Sequence, residues 1–334
     1  MFAWFGVSLF ILKESRTDLN FLAKISLLLV IVLVSLSAYL RLAHSGIGCA
    51  DWPECYGRIG VPESISQPVT SENAYQRIVE QANEPMAWAT PLHRLVASVL
   101  GLLIVFLTFV TLRRKKQRII ALVLLSLTVF LAILGIRSGS LHNPAVVMGN
   151  LAGGFCMLGL LGWMVFTKDP RTRHGTRAVK GMAIFAIVVL SVQIALGGLT
   201  SANFAASSCQ TLPDCHGSWM PGKALATAFD LTRQHEVTPM GQAIGGQERL
   251  AIHKAHRISA VLALAVILLA AFTALRASDR YRIPAIVLMV LVSLEFGVGI
   301  AAILTSLPIS LAVAHNWMAG LILLVLLKLT ALSR

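Results

Sequence analysis

Apolar runs of about 20 residues recur along the chain between short polar stretches, the pattern of helices that cross a bilayer. They cover 21–42, 88–112, 118–137, 144–167, 179–200, 251–275, 283–304 and 309–332. The pattern predicts an all-α integral membrane protein with eight transmembrane helices. Residues 1–12 are apolar but fall short of the roughly 20 that a span takes. With no basic residues ahead and no small-residue cleavage site before Lys13, they read as an interfacial segment.

Composition agrees. Of 334 residues, 56 % are hydrophobic and 13 % charged, too little polar surface to cover a water-soluble core. The formal net charge of +13 does not indicate nucleic acid, because the basic residues lie in clusters between the apolar runs. Arg113, Arg114, Lys115, Lys116 and Arg118 follow the second run, Lys168, Arg171, Arg173, Arg177 and Lys180 the fourth, and Arg276, Arg280 and Arg282 the sixth. The positive-inside rule makes these loops and both termini cytoplasmic. The long loops 43–87 and 201–250 then lie on the periplasmic side of a cell inner membrane, with lipid as the chain's main surrounding.

The chain repeats itself. Pro91-Leu92-His93-Arg94 is echoed by Lys254-Ala255-His256-Arg257, each opening an apolar run, which implies two related halves. Both outer loops carry Cys-x5-Cys with proline two residues before the second cysteine and glycine two after it: Cys49 with Cys55, and Cys209 with Cys215. In an oxidising compartment such pairs predict two disulfides, with free thiols or metal ligands as the other reading. A third echo runs Leu131 to Gly135, Gln193 to Gly197 and Glu295 to Gly299. Its glycines suggest close helix approach, and Gln193 and Glu295 at bilayer depth must face the interior. Gln193 reads as interhelical glue, Glu295 as a proton carrier or the partner of a cation.

Depth sorts the histidines. At 1.5 Å per residue, His93 and His256 lie roughly 8 Å below the outer surface, and His315 at a similar level in the last run. His256 and His315 are therefore placed to face each other across a bundle, as two axial ligands face each other across a heme iron. In the fourth run, Asn150 or, with a slip of one residue, Gly149 stands where His315 stands in the last. Arg94 and Arg257 follow their histidines and suit heme propionates, with Arg41 near the outer surface; snorkelling to headgroups is the plain alternative.

At this point the chain resembles the heme A synthase family over nearly its whole length. The resemblance rests on Arg41-Leu42 with Ser45-Gly46; Asp51-Trp52-Pro53 with Cys55-Tyr56-Gly57; His93-Arg94; Gly197 to Asn203 with Cys209 and Cys215; and Ile252-His253 with His256-Arg257. It implies two pseudo-symmetric four-helix bundles and oxidation of the heme O ring methyl to a formyl group, supplying heme A for cytochrome oxidase. It also implies a cytoplasmic N-terminal segment at 1–20, a substrate heme site in the N-terminal half, 21–167, and a cytoplasmic linker at 168–180. A heme b site would lie in 181–334. On this reading His256 and His315 hold heme b and His93 belongs to the substrate site. There the family usually has glutamate where Thr90 stands and histidine where Asn150 stands. Heme O synthase, oxidase assembly proteins and a second copy of the chain are the implied protein partners. Two other functions compete: a heme b-binding paralogue or assembly factor without catalysis, and a relay passing electrons from the outer cysteines to quinone.

Overall fold

The computed structural model describes residues 15–44, 89–114, 117–137, 144–167, 176–203, 205–209, 211–222, 224–230 and 246–334. The segment 1–12, Cys49, Cys55 and the acidic outer loop around them lie outside this set. Eight long helices account for most of what is described: α1 (Ser15–His44), α2 (Ala89–Arg114), α3 (Arg118–Arg137), α4 (Pro144–Phe166), α5 (Arg177–Ala202), α6 (Gly246–Ala277), α7 (Asp279–Leu304) and α8 (Ile309–Leu332). Each contains a stretch long and apolar enough to cross a membrane. Between α5 and α6 come a 3-10 turn, Ala206–Ser208, and a short helix, Leu225–Ala228.

Each span expected from the apolar pattern is a helix. The largest shifts are at two starts, that of α1 at Ser15 instead of 21 and that of α6 at Gly246 instead of 251. The first turn of α6 is polar and carries Glu248, which suits the positive end of the helix dipole yet lowers local hydropathy. His256 therefore sits ten residues after the first residue of its helix, deeper along α6 than its place in the apolar run suggested.

The packing is that of a protein in hydrocarbon. Leu102, Ile119, Ile283 and Leu304 are 70–78 % exposed, an arrangement that water penalises and lipid does not. The inward faces carry Leu100, Ile104, Leu158, Leu161, Ile267, Leu288 and Ile322, all at 2 % exposure or less. Helices α1 to α4 pack on one another, as do α5 to α8, and α8 also touches α1 and α4. Small residues bring this seam together. A Cβ on Gly162 of α4 would meet Leu324 of α8, and one on Gly198 of α5 would meet Leu151 of α4.

At the helix ends remote from the Cys209–Cys215 loop, Tyr281 ties three elements together. Its ring is fully buried. Its hydroxyl accepts from the Thr176 backbone N–H at 3.3 Å, from Arg280 Nη2 at 2.7 Å and from Ser333 Oγ at 3.3 Å. The entry to α5, the start of α7 and the end of α8 are thereby pinned to one side chain.

Candidate functional site

Helices α5 to α8, with Arg41 reaching in from α1, enclose a cavity of about 330 Å³. That volume is within the range of small-molecule and cofactor sites. Most of its wall is apolar, and its polar members converge: Gln193 from α5, His253 and His256 from α6, Glu295 from α7, His315 and Asn316 from α8.

The two histidines confront each other. The rings of His256 and His315 have centroids 6.3 Å apart and planes at 84°. A metal–nitrogen bond of about 2 Å on each side, plus roughly 1 Å from ring nitrogen to ring centre, separates two imidazoles on opposite sides of one ion by about 6 Å. Among the described residues no group of three or more His, Cys, Asp or Glu is arranged to hold a metal ion by itself. The two imidazoles, at this spacing inside an apolar wall, suit an ion that carries its remaining ligands in a macrocycle.

Both rings are seated by one device. The Gln193 amide lies 3.2 Å from His256 Nδ1. Four residues further along α5, a Cβ on Gly197 would stand 3.1 Å from His256 Cε1. On α7 the spacing repeats: His315 Nδ1 lies 3.2 Å from the Glu295 carbonyl and 3.2 Å from its Oε1, and a Cβ on Gly299 would stand 3.2 Å from His315 Cε1. A polar residue takes Nδ1 and the glycine one turn on makes room for the ring. Nδ1–H donates to both Glu295 oxygens, which leaves Nε2 of His315 bare to bind a metal. For His256, turning the Gln193 amide over puts Oε1 against Nδ1, with the same result. That turn also gives a donor to an oxygen that otherwise has no hydrogen-bond partner.

These contacts refine one expectation and bear out another: Gly197 and Gly299 make room for a histidine ring from the neighbouring helix, and Gln193 is the expected bridge between helices, from α5 to His256 of α6. The third echo, Leu131 to Gly135, has no polar first member, and nothing lies within 4 Å of a Cβ at Gly135. Three other polar atoms of the wall are buried without a hydrogen-bond partner: His253 Nδ1, Glu295 Oε2 and Asn316 Nδ2. Such groups usually find one, so their clustering here fits a bound molecule with a polar edge. His253, only 4 % exposed, is a site residue that sequence reasoning passed over.

The outer end of the cavity is closed by the loop after α5. Cys209 and Cys215 are bonded to each other. His216 and Gly217, at φ 53° and 80°, make the turn that brings Ser218 back against Cys215. That left-handed pair explains the glycine two places after the cysteine. Leu212, Pro213 and Trp219 of this loop line the cavity. Arg257 holds the loop down: Nη2 donates to the Cys209 carbonyl at 2.6 Å, and Nη1 to those of Thr211 at 2.7 Å and Asp214 at 3.1 Å. The guanidinium expected to face an anionic ligand lines the cavity and also donates to three backbone carbonyls of the disulfide loop. Arg41 Nη2 donates to Asn316 Oδ1 at 2.9 Å, so α1 meets α8 one residue from His315.

The other expected residues lie apart from this cavity. His93 is half-buried and Arg94 exposed on α2, and Asn150 is half-buried on α4. None of the three lines it. Thr90 belongs to α2, but its side chain lies outside the described set, as do Cys49 and Cys55.

Comparison with known proteins agrees with this architecture. The chain is similar to the heme A synthase of Shewanella oneidensis, 34 % identical over 93 % of this chain and 96 % of that protein. It is also similar to the heme A synthases of Rhizobium johnstonii, 27 % identical over 91 % and 86 % of the two chains, and Granulibacter bethesdensis, 23 % over 88 % and 82 %. The profile of one family, described as cytochrome oxidase assembly protein, matches residues 20–327. With that match across almost the entire length and a relative at 34 % identity, the chain belongs to the cytochrome oxidase assembly protein family.

Proposed function

We propose that this protein is a heme A synthase: an oxidoreductase that converts the ring methyl of heme O to a formyl group and so supplies heme A to cytochrome oxidase. The observation that carries the cofactor reading is the His256–His315 pair, 6.3 Å apart across an apolar cavity with both Nδ1 atoms engaged. Family membership carries the reaction. A thiol relay to quinone accounts for neither the facing imidazoles nor the glycine beneath each.

In this reading His256 and His315 hold heme b in the C-terminal half, 181–334, and heme O is the substrate of the N-terminal half, 21–167. A methyl becoming a formyl gains oxygen and gives up electrons and protons, and a bound heme b supplies a one-electron carrier. The chain's own residues do the rest. Gln193 and Glu295 fix the ring orientations, and the apolar wall keeps water from the iron axis. Arg41 and His253 present donors to the polar edge of the bound group. Arg257 keeps the disulfide loop closed over it. His93 lies at the substrate site, where Thr90 and Asn150 place neutral groups. Both termini are cytoplasmic, and the disulfide loop is on the periplasmic side of the inner membrane. Heme O synthase is the reaction partner upstream and the oxidase assembly machinery downstream, with a second copy of the chain as a further candidate partner.

The test is chromatography of hemes extracted from cells that make heme O and express this chain, beside the absorption spectrum of the purified protein. Heme A in the extract is the expected result. Heme O unconverted over a protein that has bound heme b would overturn the catalytic assignment.

A further inference from the structure

The two histidine seats are alike in backbone geometry and unlike in chemistry. His256 Nδ1 meets a side-chain amide, while His315 Nδ1 meets a backbone carbonyl and a carboxylate oxygen of the same residue, both at 3.2 Å. The Glu295 side chain is 15 % exposed, and its second oxygen, Oε2, is buried with no hydrogen-bond partner. A lone ionisable side chain at bilayer depth is costly and marks function by default. Glutamine at this position would give the same hydrogen bond at less cost, as Gln193 demonstrates on the opposite ring. The difference between the seats therefore lies in the strength of the acceptor, not in how the ring is held.

We infer that Glu295 is a positioning residue for His315 that also sets the redox balance of the bound group, by offering its Nδ1–H a carboxylate where His256 is offered an amide. A carboxylate draws the Nδ1 proton more strongly than an amide and makes Nε2 the more electron-rich ligand. An electron-rich axial ligand favours ferric over ferrous iron, which lowers the reduction potential. One axial ligand is thus a strong donor and the other an ordinary one, and the pair sits lower in potential than two amide-seated imidazoles. The inference deepens the proposed function and rests on heme binding between His256 and His315.

The experiment is a redox titration of the purified, heme-loaded protein followed by its low-spin spectrum, in wild type, Glu295→Gln and Gln193→Glu. The expected result for Glu295→Gln is a retained low-spin spectrum and about a tenfold shift in the ferric-to-ferrous ratio towards ferrous, which is 59 mV for a one-electron couple. Gln193→Glu, which gives the second ring a carboxylate, should shift the ratio the other way. If Glu295→Gln keeps the spectrum and moves the ratio less than about twofold, the inference is wrong while the heme site stands. Should Glu295→Gln fail to hold heme, Gln193→Glu decides alone: a lowered potential supports the role of the carboxylate and an unchanged one overturns it. A wild-type protein with no low-spin heme would overturn the cofactor reading itself.

Discussion

Gly197 and His256 are fitted to each other: a Cβ at residue 197 would stand 3.1 Å from the ring's Cε1, closer than real Cβ contacts normally come. Gly299 stands in the same relation to His315. At both glycines the Cε1 edge of an imidazole takes the space that a side chain would fill.

Enlarging either glycine should displace its imidazole. Forcing extra volume into a filled site costs about 1–3 kcal/mol, and about 1.4 kcal/mol is a factor of ten in an equilibrium constant. Gly197→Leu and Gly299→Leu should therefore lower heme content by tenfold or more at limiting heme. Gly135→Ala, with open space at its Cβ, should leave it unchanged. Heme per protein, from pyridine hemochrome absorbance, checks both.

Removing the ligands should separate the two proposed sites. His256→Ala and His315→Ala should each abolish the low-spin spectrum. His93→Ala should keep it while conversion of heme O falls. An unchanged spectrum in His256→Ala would refute the axial assignment.

Arg257→Ala should loosen the disulfide loop, because three carbonyl acceptors lose their donor at once. Hydrogen bonds from a charged group contribute about 1.5–3 kcal/mol each when buried and less where water reaches them. A total near 2 kcal/mol, roughly a thirtyfold rise in proteolytic nicking between residues 209 and 222, is expected. Arg257→Lys should recover only part of it, since an ammonium cannot span three acceptors as a fork does.

The bond from Arg41 to Asn316 predicts non-additivity. Arg41→Ala and Asn316→Ala each remove one partner, and the double variant should lose less thermal stability than the sum, by about 1 kcal/mol. Additive losses in detergent melts would show that the contact contributes nothing to the α1–α8 seam.

Thr90→Glu combined with Asn150→His should raise the yield of heme A, on the proposed reading that Thr90 and Asn150 belong with His93 to the substrate site and that an acid and a second imidazole serve it better than neutral groups. Heme extraction from matched cultures measures it.

Much of this was legible in sequence, for physical reasons. Hydrocarbon imposes a length and a polarity on every span, so each of the eight apolar runs is a helix, and the similar places of His256 and His315 in their apolar runs anticipate that the two meet. What stayed hidden depends on contacts between helices. Depth says that Gln193 and Glu295 face inward, but not that each meets a histidine Nδ1. The pairing of Arg41 with Asn316 spans 275 positions, and no local pattern encodes it. The three carbonyls that Arg257 meets have no signature in sequence either. The starts of α1 and α6 lie ahead of their apolar runs because a polar first turn is invisible to a search for such runs.

Tyr281 pins α5, α7 and α8 at one end of their bundle, while the other end is closed by a small covalent ring and one guanidinium. Such a bundle behaves as a peg hinged at its tail. Spreading about such a hinge would grow with distance from it and be greatest at the end that the disulfide loop closes, beyond His256 and His315. Cofactor entry then needs only that end to part, with the helices still held together at the tail.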